Sequence, residues 1–118
     1  MIAATLDAAK KLHYNRVIAV FQPFTFSRTV RHLDEFAKAL SAADIAIVSD
    51  IMGSREQNTY GVSSDQITDQ IENGRYIPTF EEITTFVKSE AKAGDLVLTM
   101  GGGDVYKCAR MMKAALEG

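Results

Sequence analysis

The sequence predicts an α/β fold, a Rossmann-like and mostly parallel sheet with helices on both faces, formed by residues 1–118 as a single domain. Short runs of β-branched and aromatic residues alternate along the whole chain with segments of helical periodicity. The run 16–21 is almost continuously apolar, which is typical of a strand buried on both faces of a parallel sheet. Right-handed crossovers between such strands place helices on both sides of the sheet.

The first half of the chain predicts two helices, each followed by a strand. A helix over residues 2–13 precedes a strand over 16–21, and a helix from Thr29 to Leu40 precedes a strand over 44–49. A polar, proline-containing loop, Gln22–Ser27, follows the first strand and precedes the second helix. The apolar residues at helical spacing are Ile2, Leu6, Ala9 and Leu12 in the first helix and Val30, Leu33, Phe36, Ala37 and Leu40 in the second.

Helix-capping patterns predict where two helices begin in the second half of the chain. The polar stretch 50–62 predicts a long surface loop, in which Arg55 and Glu56 either touch a ligand or, as is usual for loop charges, are solvated. Ser63 with Gln66, and Thr79 with Glu82, form capping boxes that begin two helices. The first of these helices is expected to stop at residues 73–74, and strands are predicted at 76–77 and 95–100. A last helix is predicted over 104–116.

Composition excludes several function classes. The net charge is -2 with both signs mixed along the chain, so the basic surface needed for nucleic-acid binding is missing. Apolar runs have the length of strands, well short of the ~20 residues of a membrane-spanning helix, and no signal peptide is apparent. The single cysteine, Cys108, cannot form an internal disulfide and is expected to be a packed residue. A cytoplasmic location is expected.

Two loops are candidates for a ligand site. Gln22–Ser27 follows the first strand and Gly101–Asp104 follows the fourth, so a 3-2-1-4 strand order would place both at one crevice. Glycines allow close backbone approach, and a helix start favours anions. However, Asp104 adds a negative charge, and the turn lacks a complete dinucleotide or phosphate-loop motif. A tight strand-to-helix turn with Asp104 as the helix cap therefore remains an equal alternative.

Arg28 is a better candidate for direct contact with a substrate than the glycine turn is. Its planar guanidinium at a helix start suits a carboxylate or a phosphate, although a solvated surface arginine is the simpler alternative. His13 and His32 have no partners at metal-ligand spacing, so no metal site is expected. No arrangement for nucleophilic catalysis and no phosphate-loop lysine is visible.

Four segments resemble the C-terminal domain of the Mur ligases. They are FQPFTFSRT at 21–29, DIMGSRE at 50–56, YIPTFEEI at 76–83 and GDLVLTMGGGDVYK at 94–107. They follow in order and at matching spacing, and they favour the branch of the family that uses L-alanine. Phe24 stands where that branch commonly has His, and Gly102 stands where it usually has Ala.

The resemblance implies an ATP-dependent acid–amino-acid ligase of peptidoglycan biosynthesis, which serves cell shape and division. Such an enzyme joins L-alanine to the carboxylate of UDP-N-acetylmuramate through an acyl phosphate. ATP and Mg²⁺ would be bound mainly by two other domains, an N-terminal UDP-binding and a central ATP-binding domain, which this chain lacks. No cofactor is expected for the chain by itself. The implied substrate-binding residues are Arg28, Ser27, Thr25 and Phe24, and the implied crevice-lining residues are Gln22, Gly101, Gly102, Gly103 and Asp104.

The resemblance also implies that a strand, a helix cap and nucleotide contacts lie before Met1. The absence of a capping residue before Ile2 agrees with a chain cut from a longer one, and equally with a fraying terminal helix. This chain alone is therefore expected to bind nucleotide poorly and to show no ligase activity. Two alternatives are a stand-alone flavodoxin-like module for a nucleotide or small anion, and a homodimer paired at an open sheet edge.

Overall fold

A computed structural model describes residues 2–53 and 55–117. In this part of the chain, four strands and six helices follow one another. The strands are β1 (Arg16–Gln22), β2 (Ile45–Val48), β3 (Gly74–Tyr76) and β4 (Asp95–Gly101). The helices are α1 (Ile2–Lys10), α2 (Phe26–Arg31), α3 (Leu33–Leu40), α4 (Asp65–Thr68), α5 (Phe80–Glu90) and α6 (Val105–Glu117).

The four strands form one parallel sheet in the order β3-β2-β1-β4. The predicted α/β class is confirmed, and the strand order is the 3-2-1-4 order that places the loops after β1 and β4 at one crevice. The central strand β1 pairs with β2 on one side and β4 on the other, so that Val20 lies between Ile47 and Thr99. Because β1 is covered on both faces, its residues from Val17 to Gln22 are all buried, as the continuous apolar run predicts.

Each face of the sheet carries its own hydrophobic core. On one face, α1, α3 and α4 pack on alternate residues of β1 and β2. The buried residues there include Leu6, Ala9, Val17, Ala19, Phe21, Ala37, Leu40, Ala46, Val48 and Ile67. On the other face, α5 and α6 cover the intervening strand residues. That core comprises Ile18, Val20, Ile47, Ile83, Val87, Val105, Cys108 and Met112. Cys108 is a packed residue, as expected.

The second predicted helix is wrong in its boundaries. The structure has two helices broken at His32, whose φ of −116° and ψ of 22° are not helical. The His32 N–H closes α2 on the Arg28 carbonyl oxygen at 3.0 Å, and its own carbonyl accepts from Phe36 at 2.9 Å to open α3. Val30, which was predicted on the apolar face of this helix, is 43% exposed. The first helix also ends earlier than predicted, at Lys10.

The third predicted helix is mostly a series of turns. α4 covers only Asp65–Thr68, and Gly74 begins β3 instead of ending a helix. Gly74 is needed for close packing, because a Cβ there would lie 2.7 Å from the Thr68 carbonyl oxygen. In contrast, the cap at Thr79 is confirmed: its hydroxyl accepts from the Glu82 N–H at 3.2 Å where α5 begins.

Candidate functional site

A cavity of about 480 Å³ opens at the carboxyl end of β1 and β4. Gln22 and Gly101 are register partners, so the loops that follow these two strands start side by side. Residues of α1, α2 and α3 form the other sides. The wall is largely apolar and is formed by Ile2, Thr5, Phe21, Gln22, Phe24, Arg28, Thr29, Phe36, Met100, Gly101 and Gly102.

Arg28 is the one charged residue in this wall. It lies in the first turn of α2, which is capped by Thr25: the Thr25 hydroxyl accepts from the Arg28 N–H at 3.2 Å. Buried Thr29 ties the same turn down by donating its hydroxyl to the Thr25 carbonyl oxygen at 2.6 Å. In the part of the chain that the structure describes, no carboxylate lies within ion-pair distance of Arg28. Its guanidinium is therefore available to an external anion.

The glycine turn approaches β1 so closely that a side chain has no room at its first position. Gly101 has a φ of +129°, and a Cβ there would collide with the Gln22 carbonyl oxygen. Gly103 has a φ of +76° and lies against the side chain of Met52. Gly102 has no positive φ, and its Cβ position faces the ring of Phe24 at 3.0 Å. Geometry at Gly101 and Gly103 thus favours the tight-turn interpretation.

Gln22 and Asp104 brace β1 against α6. The Gln22 amide nitrogen donates to an Asp104 carboxylate oxygen at 3.0 Å, across the sheet face that also holds Val20. Gln22 is 5% exposed, and its amide oxygen is buried with no hydrogen-bond partner in the described residues. The other Asp104 oxygen lies 3.8 Å from Lys107 Nζ. This carboxylate would repel a phosphate at the turn.

The structure brings only part of the predicted site residues into the cavity wall. Those in the wall are Gln22, Phe24, Arg28, Gly101 and Gly102, while Thr25, Ser27, Gly103 and Asp104 lie outside it. Thr25 serves the site as the helix cap behind Arg28. The contribution of α1 to the wall, through Ile2 and Thr5, was not predicted, because nothing local in the sequence places that helix beside the glycine turn.

Glu56, which the sequence left either as a ligand contact or as a solvated charge, has a partner that sequence reasoning did not predict. Its carboxylate accepts two hydrogen bonds from Ser27, one from the backbone N–H at 3.0 Å and one from the hydroxyl at 2.6 Å. These bonds, the hydroxyl foremost, lower the pKa of Glu56 below its ordinary value. Glu56 is exposed, as expected for a loop charge, but its carboxylate is also held by Ser27. Ser27 and Glu56 lie 29 positions apart, so no local pattern could reveal the contact.

The described residues contain no group of three or more His, Cys, Asp or Glu side chains placed to hold a metal ion. Within the same part of the chain, no helix combines the length and the apolar character required to cross a membrane.

Comparison with protein-family models shows the family to which this chain belongs. The family model described as "Mur ligase, glutamate ligase domain" matches residues 1–103. The chain belongs to this Mur ligase family. Membership agrees with the resemblance carried by the Arg28 loop and the glycine turn, and it supports a ligase domain over a stand-alone nucleotide-binding module.

Individual curated proteins of this family are similar to the chain over most of its length. The chain is 47% identical over 110 residues to the UDP-N-acetylmuramate–L-alanine ligase of Agathobacter rectalis, covering 90% of this chain and 24% of that protein. It is 46% identical over 118 residues to the ligase of the same name from Clostridium novyi, covering 97% of this chain and 26% of that protein. The chain thus spans about a quarter of the length of these relatives.

Solved structures share the fold. A murein peptide ligase from Psychrobacter arcticus matches with a TM-score of 0.74 at 25% identity, over 98% of this chain and 25% of that one. A domain assigned to a UDP-N-acetylmuramate:L-alanyl-γ-D-glutamyl-diaminopimelate ligase of Haemophilus ducreyi matches with a TM-score of 0.71 at 22% identity, over 98% of this chain and 80% of that one. At 22% identity, the second comparison shows only that the fold is shared.

Proposed function

We propose that this chain is the C-terminal, amino-acid-presenting domain of an enzyme that joins L-alanine to the carboxylate of UDP-N-acetylmuramate. The observation that carries the proposal is the 46–47% identity, over nearly the whole chain, to proteins named for that reaction. The product is an amide, formed when the amine of alanine attacks an acyl phosphate. Because the chain spans about a quarter of those relatives, the remaining domains would hold the UDP-sugar and the nucleotide.

Arg28 would hold the carboxylate of the incoming alanine. Its guanidinium has no carboxylate partner among the described residues, and among those residues it is the only charge in a largely apolar wall. A planar fork can bind both oxygens of a carboxylate. Phe24 and Met100 in the same wall suit a small apolar side chain. We expect Thr25 to act through its cap on α2, whereas Gln22 and Asp104 shape the crevice.

ATP and Mg²⁺ would be held by the other domains of the enzyme. The described residues provide no cluster for a metal ion, and the sequence has no phosphate-loop lysine. The role of this domain would be to close over the reacting groups with alanine in place. Closure would exclude water from the acyl phosphate and so limit its hydrolysis. We expect the reaction to occur in the cytoplasm.

The test is an assay of the full-length protein with ATP, Mg²⁺, UDP-N-acetylmuramate and L-alanine. We expect UDP-N-acetylmuramoyl-L-alanine to form with one ADP and one phosphate per product, and we expect no product from residues 1–118 alone. Replacing L-alanine by glycine or L-serine measures selectivity. Absence of the alanine-dependent product from the full-length protein would contradict the proposal, as would turnover by residues 1–118 alone.

A further inference from the structure

The loop after β2 is fastened to the loop that carries Arg28. The Met52 N–H donates to the Pro23 carbonyl oxygen at 2.9 Å, and the Gly53 N–H donates to the Phe24 carbonyl oxygen at 2.8 Å. These two consecutive bonds follow the strand pairing of Phe21 with Val48, so the two loops leave the sheet together. The backbone of Pro23 and Phe24, just before α2, is therefore held by the loop after β2.

Gly53 allows this close approach. It is buried, has a φ of +83°, and faces the ring of Phe26, which would lie 2.7 Å from a Cβ at this position. Phe26 is the first residue of α2. The start of that helix is consequently packed against a backbone that only glycine provides without strain.

Glu56 completes the attachment through its side chain. Its two carboxylate oxygens take the backbone N–H and the hydroxyl of Ser27, the second residue of α2. The neighbouring Arg28 N–H is taken by the Thr25 hydroxyl. Glu56 and Thr25 thus satisfy consecutive amides of the first turn from two different loops, which fixes the direction in which the Arg28 side chain leaves the helix.

We propose that Glu56 is a positioning residue for the amino-acid substrate: its carboxylate fixes the first turn of α2 and thereby holds the Arg28 guanidinium at the cavity. This inference rests on the proposed function. Because Glu56 already occupies the Ser27 donors, the substrate carboxylate is left to Arg28 and does not bind at the helix start. Glu56 is not among the residues that line the cavity, so its effect on the substrate would be transmitted through Ser27 and Arg28.

The kinetic test compares Glu56→Gln, Glu56→Asp and the control Glu72→Gln in the full-length protein. Glu72 is an exposed carboxylate in the turn before β3. For Glu56→Gln, we expect the KM for L-alanine to rise about tenfold, the size expected when a charge-assisted hydrogen bond is lost. The kcat and the KM values for ATP and UDP-N-acetylmuramate should stay within about twofold.

The shorter aspartate can restore one of the two bonds, so Glu56→Asp should fall between the wild type and Glu56→Gln. The control should match the wild type. An unchanged KM for L-alanine in Glu56→Gln would overturn the proposal. A general loss of activity together with a lowered melting temperature would also overturn it, because that result describes a structural role only.

Amide hydrogen exchange separates this inference from the proposed function. In Glu56→Gln, we expect exchange of the Ser27 amide to become faster, while the amides of α5 keep their wild-type rates. Unchanged exchange at Ser27 would refute the attachment itself. If the wild-type protein makes no alanine product, the proposed function fails and the positioning role fails with it, and the exchange result then shows whether the attachment alone exists.

Discussion

Gly101 is the residue of the glycine turn whose replacement should matter most. Its φ of +129° lies where residues with a side chain are strained, and a Cβ would collide with the carbonyl oxygen of Gln22. That carbonyl belongs to the central strand β1, which is packed on both faces and cannot move aside as a flexible side chain would. Gly101→Ala must therefore either distort the turn or separate β4 from β1.

The magnitude follows from these two costs. An unfavourable positive φ costs about 1–3 kcal/mol, and a lost backbone hydrogen bond between the strands adds roughly 1 kcal/mol. We therefore expect Gly101→Ala to lower the free energy of unfolding by about 3 kcal/mol. For a domain of this size, that corresponds to a melting temperature lower by roughly 12 °C.

Gly102→Ala is the matched control in the same turn. Gly102 has no positive φ, and its Cβ would meet the ring of Phe24 at 3.0 Å. Phe24 is 41% exposed, so the ring can shift by the few tenths of an ångström required. Because alanine also restricts the unfolded chain, we expect Gly102→Ala to change stability by no more than about 1 kcal/mol, in either direction.

Urea unfolding of both variants, followed by circular dichroism, measures the difference. The predicted order is Gly101→Ala far below the wild type, with Gly102→Ala close to it. Equal stability of the two variants would refute the reasoning, because it would show that the approach of the turn to Gln22 is not as close as the structure indicates.

Two further predictions concern titratable groups. Burial raises the pKa of the Cys108 thiol to about 11, so alkylation at neutral pH should be slow in the folded chain and fast in urea; equal rates in the two states would contradict this. The Arg16 guanidinium, followed by the Lys92 N–H, lowers the pKa of Asp95 in the folded state. The resulting stabilisation is present above the unfolded pKa of about 4 and is lost as the pH falls through the lower folded value. Asp95→Asn should therefore be less stable than the wild type at pH 7, and the difference should shrink on acidification; a constant difference would contradict the assignment.

Regular features of this fold were predictable from the sequence. Residues 17–21 are apolar, as expected for a central strand, and the alternation of strands and helices predicted the parallel sheet. The meeting of the loops after β1 and β4 depended in addition on an assumed strand order, which the structure has. Arg28 and the glycine turn were identified because charge at a helix start and consecutive glycines are local signals. The cap at Thr79 was identified for the same reason.

Features decided by contacts between distant residues were not predictable. The break at His32 leaves the apolar spacing of the helix intact, so periodicity conceals it. The contact of Glu56 with Ser27 depends on how two loops leave neighbouring strands. The hydrogen bond of the Gln22 side chain to Asp104 was not predictable either. Successive strand residues point to opposite faces of the sheet, and the sequence does not indicate which face holds the cavity.

The central claim is that Arg28 receives the carboxylate of the amino acid, and the KM for L-alanine in the full-length protein tests it most directly. Arg28→Ala should raise this KM about 10- to 100-fold, as expected for the loss of a hydrogen-bonded charge partner, with Arg28→Lys recovering part of the loss. Arg31→Ala, at the other end of α2, is the control and should leave it unchanged. A wild-type KM for L-alanine in a correctly folded Arg28→Ala enzyme would contradict the claim.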